Sequence, residues 1–529
     1  MVRAAVGVGA RRGAMRAQAA RDGEMPPFTR AMVSIFVMTA TIMQVLDTTV
    51  ANVALPYMQG SLSTTQDQVN WVLTSYIIAA AIMTSPVGWM TARFGRKRLY
   101  VVCTAGFTLA SMLCGAAQSI DQMVIFRLVQ GVFGAALVPL AQLVMLDAYP
   151  PAKRAAAMAI WGMGIMLGPI LGPTLGGWLT EDYSWRWVFY VNVPFGVLTA
   201  IGLAVFMPES RVRRDLSFSW FGFLSLSLAV GALQLMLDRG QDQGWFDSNE
   251  IWIETILSVV GFYFFITDCV TSKRPFIEMR LFRDRNFSLA MGLMFLNGLV
   301  LMSTMALLTP LLQNLLGYPV LTSGYLLGAR GIGTFVAMSL VGRMLGGRDA
   351  RPFMLVGLAI AALAQWVMVG WNDDVSAGAI AVNGMLQGFG LGFVFTPLNA
   401  VAFTTLPREL RGEATSLWTL ARNIGASIGI SVLIARVVSR TAYFHSQLVE
   451  HVTPFNDAMR LPDALALGTR TVRDLGLFDA LVTQQAAVMA YSNDFYLMTI
   501  LSLACFPLAI LMRSPRAVLT PAQQAAAAE

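Results

Sequence analysis

Charge is scarce in this chain: only 13% of its 529 residues are Asp, Glu, Lys or Arg, against about a quarter in an ordinary soluble domain. So little polarity cannot clothe a water-facing surface, which excludes the soluble globular classes. Histidine is nearly absent. The two present, His445 and His451, are four residues apart and can share a helical face, but Pro454 follows and no third ligand stands near, so no metal site is expected. The four cysteines, Cys103, Cys114, Cys269 and Cys505, all lie in apolar stretches and imply no disulfide framework. No phosphate loop of the form GxxxxGK[ST] occurs, which argues against a nucleotide-driven machine. The apolar stretches also lack a nucleophile with its base, a metal cluster or matching polar rings, so neither an embedded enzyme nor a channel is indicated and no cofactor is expected.

What the chain has is long hydrophobic runs, 56% of its residues being apolar. Fourteen of them, at 31–55, 71–91, 99–118, 123–149, 155–180, 187–207, 219–237, 251–270, 288–312, 322–341, 353–371, 376–404, 414–438 and 491–512, are numbered spans 1 to 14 below. Each is near the ~20 residues a membrane-crossing helix needs, so the fold class is an all-α polytopic membrane protein. Basic residues set the orientation, because cytoplasmic segments retain Lys and Arg. Of the 37, 27 fall on the side of both termini, which are placed in the cytoplasm; the net charge of +7 then reflects topology rather than nucleic-acid binding. The basic tail 1–30 has no apolar core of signal-peptide length, so span 1 is expected to direct insertion into the plasma membrane.

A shift of 257 residues superimposes Gln130-Gly131 on Gln387-Gly388, Arg154 on Arg411, Trp161 on Trp418, Gly168 on Gly425 and Gly172 on Gly429. The chain therefore repeats. The predicted organisation is a six-helix bundle 31–207, an inserted helix pair with linkers 208–287, a second six-helix bundle 288–512 with a periplasmic loop 439–490, and a cytoplasmic tail 513–529. Parallel repeats about an axis along the membrane normal are how many secondary transporters build a cavity that opens to either side in turn.

Between spans 2 and 3 stand Gly88, Arg93, Gly95, Arg96 and Lys97, and span 4 carries Arg127, Gln130 and Gly131. This resembles the signature loop and span-4 motif of the major facilitator superfamily. The glycines permit close approach and a tight turn, while the cations can pair with helix C-termini and acidic groups. The superfamily's usual acidic residue in this loop is Ala92 here, so a gate ion pair from that position is not available. Span 5 sets Gly164, Gly168, Gly172 and Gly176 on one face, with Pro169, Pro173 and Gly177 beside them. That pattern resembles the span-5 motif of drug:proton antiporters; close packing is its minimum role. Further phrases, including Trp71-Val-Leu-Thr-Ser-Tyr76, Trp185 to Pro194, Leu237-Asp238-Arg239-Gly240 and Arg422-Asn423-Ile-Gly425, look like the fourteen-span family of the EmrB/QacA type. The stretch His445–Asn456 looks like its EmrB branch, which implies a periplasmic membrane-fusion adaptor and an outer-membrane channel as partners.

Asp47 is the acidic residue set deepest in the first bundle. A carboxylate in hydrocarbon costs roughly 2.5–3.5 kcal/mol on insertion scales, which makes it a functional-site hypothesis by default. It lies nine residues before Pro56, hence about 13 Å from the outer end of its helix, a depth similar to that of Arg127. The two can form a proton-coupling pair or a static ion pair. The resemblance implies the first, and with it an antiporter that exports lipophilic or amphipathic compounds, or one metabolite, fatty acid or siderophore, against protons. Asn52, Tyr76, Gln130, Arg330, Gln387, Arg422 and Asn423 are further polar groups within spans that can touch substrate or organise a polar core. Asp494 is expected at the outer interface, and Glu254 away from the cavity.

Overall fold

The computed structural model describes residues 25–150, 153–210, 212–213, 216–345, 348–452 and 472–513, and the described residues are helical throughout the spans with no strand. Twelve helices among them are long and apolar enough to cross a membrane. A thirteenth, span 2, is the pair Gln68–Thr84 and Val87–Phe94, bent by 57°. The bend falls at Ser85-Pro86, where proline supplies no N–H and crowds the preceding turn. Arg154–Asp182, 29 residues long, takes the place of span 5; at ~1.5 Å per residue its length suits a further crossing.

The repeat is visible in the packing. Span 1 lies on span 5, span 2 on span 4 and span 3 on span 6; in the second bundle 9 lies on 13, 10 on 12 and 11 on 14. Small residues make these contacts close. A methyl on Gly168 would collide with Val45 and one on Gly172 with Thr49, while the repeat-related Gly425 and Gly429 lie against the backbone of Phe295 and Leu299. Gly298 returns the contact to the backbone of Arg422. Glycine at these places lets main chains touch where any side chain would hold them apart.

The inserted helices, Trp220–Arg239 and Asn249–Thr271, pack on each other. The first of them fills the seam between the bundles: Asp238 accepts from Thr74 of span 2, and Gln234 accepts from Ser427 of span 13 at 2.8 Å. The second presents Trp252, Ile253, Ile256, Val259 and Tyr263 outward, a lipid-facing stripe.

Two expectations are modified. Spans 13 and 14 are not about 25 and 22 residues long but run over Arg411–Val449 and Val472–Leu511, 39 and 40 residues. Much of the supposed loop 439–490 is therefore helix, because its residues, few of them Gly or Pro, continue the spans on both sides. His445 Nε2 meets Asp479 Oδ1 at 3.0 Å and joins the two extensions as a helical hairpin; residues 453–471, including Phe455 and Leu465, lie outside the described residues. Asp494, expected at an interface, is fully buried, accepting from Arg436 Nε at 3.0 Å.

Candidate functional site

Four helices converge on Asp47. Its Oδ2 accepts from Arg127 Nη1 at 2.7 Å, and its Oδ1 accepts from Gln130 Nε2 at 2.9 Å and from Asn192 Nδ2 at 2.8 Å. Asp47 is 1% exposed and Arg127 0%. Arg127 and Gln130 are three apart and so project from one face of span 4. Arg127 Nη1 also donates to Gln130 Oε1 at 2.8 Å and Nε to the Val72 carbonyl at 3.0 Å. The Tyr76 ring lies 4.4 Å from the guanidinium, a cation–π contact, and its hydroxyl accepts from Gln44 at 3.0 Å.

The carboxylate thus receives three donors and offers none. Arg127 Nη2 has no partner among the described residues. A buried ion pair is tolerable only with its remaining lone pairs and protons hydrogen-bonded, and here that condition is nearly met. Sequence reasoning found Asp47, Arg127, Gln130 and Tyr76 but did not single out Asn192 for this cluster. The signal for it was an amide five residues into an otherwise apolar run, Trp187 to Val193. Asn52, by contrast, does not join them. It is exposed, because five residues along a helix is a rotation of about 140° away from Asp47.

The span-5 glycine face meets the helix that bears Asp47. Gly164 faces Met38, Gly168 faces Val45, Gly172 faces Thr49, and Gly176 lies 3.1 Å from Val50 by an added methyl. Thr49 Oγ1 further donates to the Gly168 carbonyl at 3.2 Å. Gly177 has open space beside it and is not part of this contact. Pro169 and Pro173 are in the helix, their side chains outside the described ones.

The span 2–3 loop meets the second bundle. Gly88 allows no side chain, since an added methyl would sit 2.5 Å from the Glu413 backbone. Gly95 turns the chain at φ +88°, a left-handed conformation suited to glycine. Arg96 pairs with Asp147, which also accepts from Arg411 at 3.1 Å. The acid that Ala92 cannot supply therefore comes from the end of span 4 and joins both bundles. Arg93 and Lys97 are half-buried, without a carboxylate partner among the described residues. At the same end Gln142 donates to Asn399 at 2.7 Å; these two are 257 residues apart, repeat-related side chains meeting each other. Trp161 stacks on Phe395, centroids 6.1 Å apart.

Arg330 of span 10 and Gln387 of span 12 share a cavity with Asn383, Met305 and Trp371. Arg422 and Asn423 are half-buried in span 13, with no hydrogen bond between them and the Asp47 cluster. Glu254 is buried in the outer inserted helix, with Oε2 unpartnered.

Comparison with known proteins agrees with this architecture. The Major Facilitator Superfamily model matches residues 37–430. Multidrug export protein EmrB of Escherichia coli K12 is 33% identical over 471 residues, 88% of this chain and 92% of that protein. Fatty acid resistance protein FarB of Neisseria gonorrhoeae is 32% identical over 489 residues, 92% and 96% of the two chains. Among solved structures, the human organic anion transporter MFSD10 (13% identity, TM-score 0.58, 90% of this chain and 100% of that one) and the proton:xylose symporter XylE (13%, 0.57, 92% and 100%) share the fold. With the family model reaching across both bundles and EmrB aligned along nearly its whole length, the chain belongs to the Major Facilitator Superfamily, within its EmrB-type group.

Proposed function

We propose that this multi-pass membrane protein is a proton-coupled antiporter that exports lipophilic and amphipathic drugs across the bacterial inner membrane. The observation that carries the reading is the Asp47–Arg127 pair, a buried, titratable couple held by helices of the first bundle. A proton on Asp47 would face donors at both oxygens, so loading it requires the pair to open. Opening needs span 1 to shift against span 4, and span 1 is locked to the span-5 glycine face by Met38, Val45, Thr49 and Val50, which seat directly on the glycine backbone. Proton exchange and helix movement are in this way the same event.

The two six-helix bundles, 31–207 and 288–512, are the moving bodies. Contacts between them gather where the span 2–3 loop lies, which the basic residues place in the cytoplasm along with both termini. Asp147 with Arg96 and Arg411, the Gln142–Asn399 pair and the Gly88–Glu413 approach close that side. The arrangement corresponds to a state shut to the cytoplasm, from which the substrate leaves outward. The likeness to FarB favours a second reading in which fatty acids are the cargo.

A membrane-fusion adaptor and outer-membrane channel complete the export path in this proposal. Support comes from the hairpin of spans 13 and 14. At ~1.5 Å per residue such helices outreach a ~30 Å hydrocarbon core, and they expose Tyr443, Val449, Leu475, Leu477 and Leu481.

Everted vesicles test the function. They should accumulate a lipophilic drug when a proton gradient is imposed and lose it when an ionophore collapses the gradient. Accumulation that ignores the gradient would overturn proton coupling, and mere equilibration would indicate a channel.

A further inference from the structure

The second bundle holds a buried cation that no carboxylate among the described residues neutralises. Arg330 is 8% exposed, and its Nε and Nη1 have no partner. No carboxylate pairs with it among the described residues. Around the same cavity Asn383, 5% exposed, leaves Oδ1 unpartnered, and Gln387, 3% exposed, leaves Nε2 unpartnered. Three buried polar groups in one place with unmet hydrogen bonds are costly, and an unpaired buried charge costs most.

The internal repeat shows what is missing. Gln387 is the repeat partner of Gln130, whose Nε2 donates to the Asp47 carboxylate. The same 257-residue shift puts Thr304 at the place of Asp47 and Gly384 at that of Arg127. Thr304 faces spans 11 and 14 through Gln365 and Met498, much as Asp47 faces span 6 through Asn192. The guanidinium has moved to the neighbouring helix: the Tyr76 carbonyl lies against Gly131, and the Arg330 carbonyl lies against its repeat partner Gly388. Arg330 therefore stands where the first bundle has Tyr76. The second bundle keeps a cation and the glutamine but has lost the acid. Beside them the packing is apolar and leaves a gap of only about 10 Å³, against about 20 Å³ at Asn383 and Gln387, lined by Met302, Met305 and Leu327 and closed from the first bundle by Met166 of span 5, so an apolar body enters only as these flexible side chains move aside.

We propose that Arg330, Gln387 and Asn383 form the headgroup subsite for a lipophilic monoanion, whose carboxylate or equivalent acid takes the place that Asp47 fills in the first bundle. The guanidinium and the Gln387 amide donate to the anion, and Asn383, which carries both a donor and an acceptor, completes the shell. The methionines adapt to the apolar body, and Met166 makes occupancy felt by both bundles. This deepens the export reading by naming its substrate class, yet binding at the subsite requires no gradient.

The test uses the full chain in nanodiscs, with quenching of tryptophan fluorescence as the readout, since Trp371 lines the cavity. Dodecanoate, dodecanol and dodecyltrimethylammonium share a tail and differ in headgroup. Dodecanoate should bind about tenfold or more tightly than the other two, the scale of charge-assisted hydrogen bonds in a buried site. Arg330→Gln, checked for a monodisperse size-exclusion profile, should bring dodecanoate down to the level of dodecanol, and Arg330→Lys should restore part of the difference. Equal binding of the three headgroups by the wild-type chain overturns the proposal even if Arg330→Gln does not fold, as does an undiminished preference in a folded Arg330→Gln. Gradient-driven export of a cationic drug, measured separately, distinguishes failure of this subsite from failure of the antiport reading.

Discussion

Replacing Asp47 by Asn is the sharpest perturbation of the proposed coupling mechanism. The carboxylate accepts from Arg127, Gln130 and Asn192 at 2.7, 2.9 and 2.8 Å. An amide at this position has one acceptor, and whichever way it is turned its NH2 points at a donor. Arg127 keeps the Val72 carbonyl and Gln130 Oε1 but loses its countercharge. Breaking a buried pair from one side costs about 3–5 kcal/mol, a large part of a typical 5–15 kcal/mol stability but not all of it. Asp47→Asn should therefore insert and purify with a lowered melting temperature. Asp47→Asn/Arg127→Gln, which removes both charges, should be more stable than Asp47→Asn alone, the two sites being strongly coupled. In proteoliposomes the single variant should lose export driven by an imposed pH gradient, because no proton can be exchanged at residue 47. Substrate counterflow, which moves no net proton, should persist. Wild-type export in response to the pH gradient would refute the assignment, and a double variant no more stable than the single one would refute the energetic argument.

Gly172→Leu should stop transport at an overpacking cost of about 1–3 kcal/mol, since Thr49 occupies that space, whereas Gly177→Leu should transport normally because nothing lies beside it; equal rates in the two would show that the face is not a working contact. Asp147→Asn should raise hydrogen exchange in 88–98 and 408–415 by freeing both Arg96 and Arg411, and unchanged exchange there would remove Asp147 from the closure. Replacing residues 445–478, which include Val449, Leu475 and Leu477, by a short Gly/Ser linker should leave proteoliposome transport intact but eliminate resistance in cells and adaptor co-purification. Persistence of both would place the adaptor elsewhere.

The sequence by itself determined the class, the helices, the repeat and the two charges, Asp47 and Arg127, set deep in the first bundle. Each of these rests on a local or periodic signal: apolar runs of bilayer length, a fixed 257-residue offset, glycines four apart, and an acid where hydrocarbon should exclude one. Which side chains meet was decided only in three dimensions. The acid for Arg96 lies 51 residues away at the end of span 4, and its second cation, Arg411, lies 264 residues away in the other bundle; no spacing rule links them. Asn192 reaches Asp47 across 145 residues, while Asn52, only a turn and a half along the same helix, is rotated off the site. Arg330 shows the same limit from the other side. Its charge was legible, but the absence of a carboxylate partner among the described residues, and the match between its surroundings and a carboxylate site in the sister bundle, exist only once the helices have packed and water has been shut out.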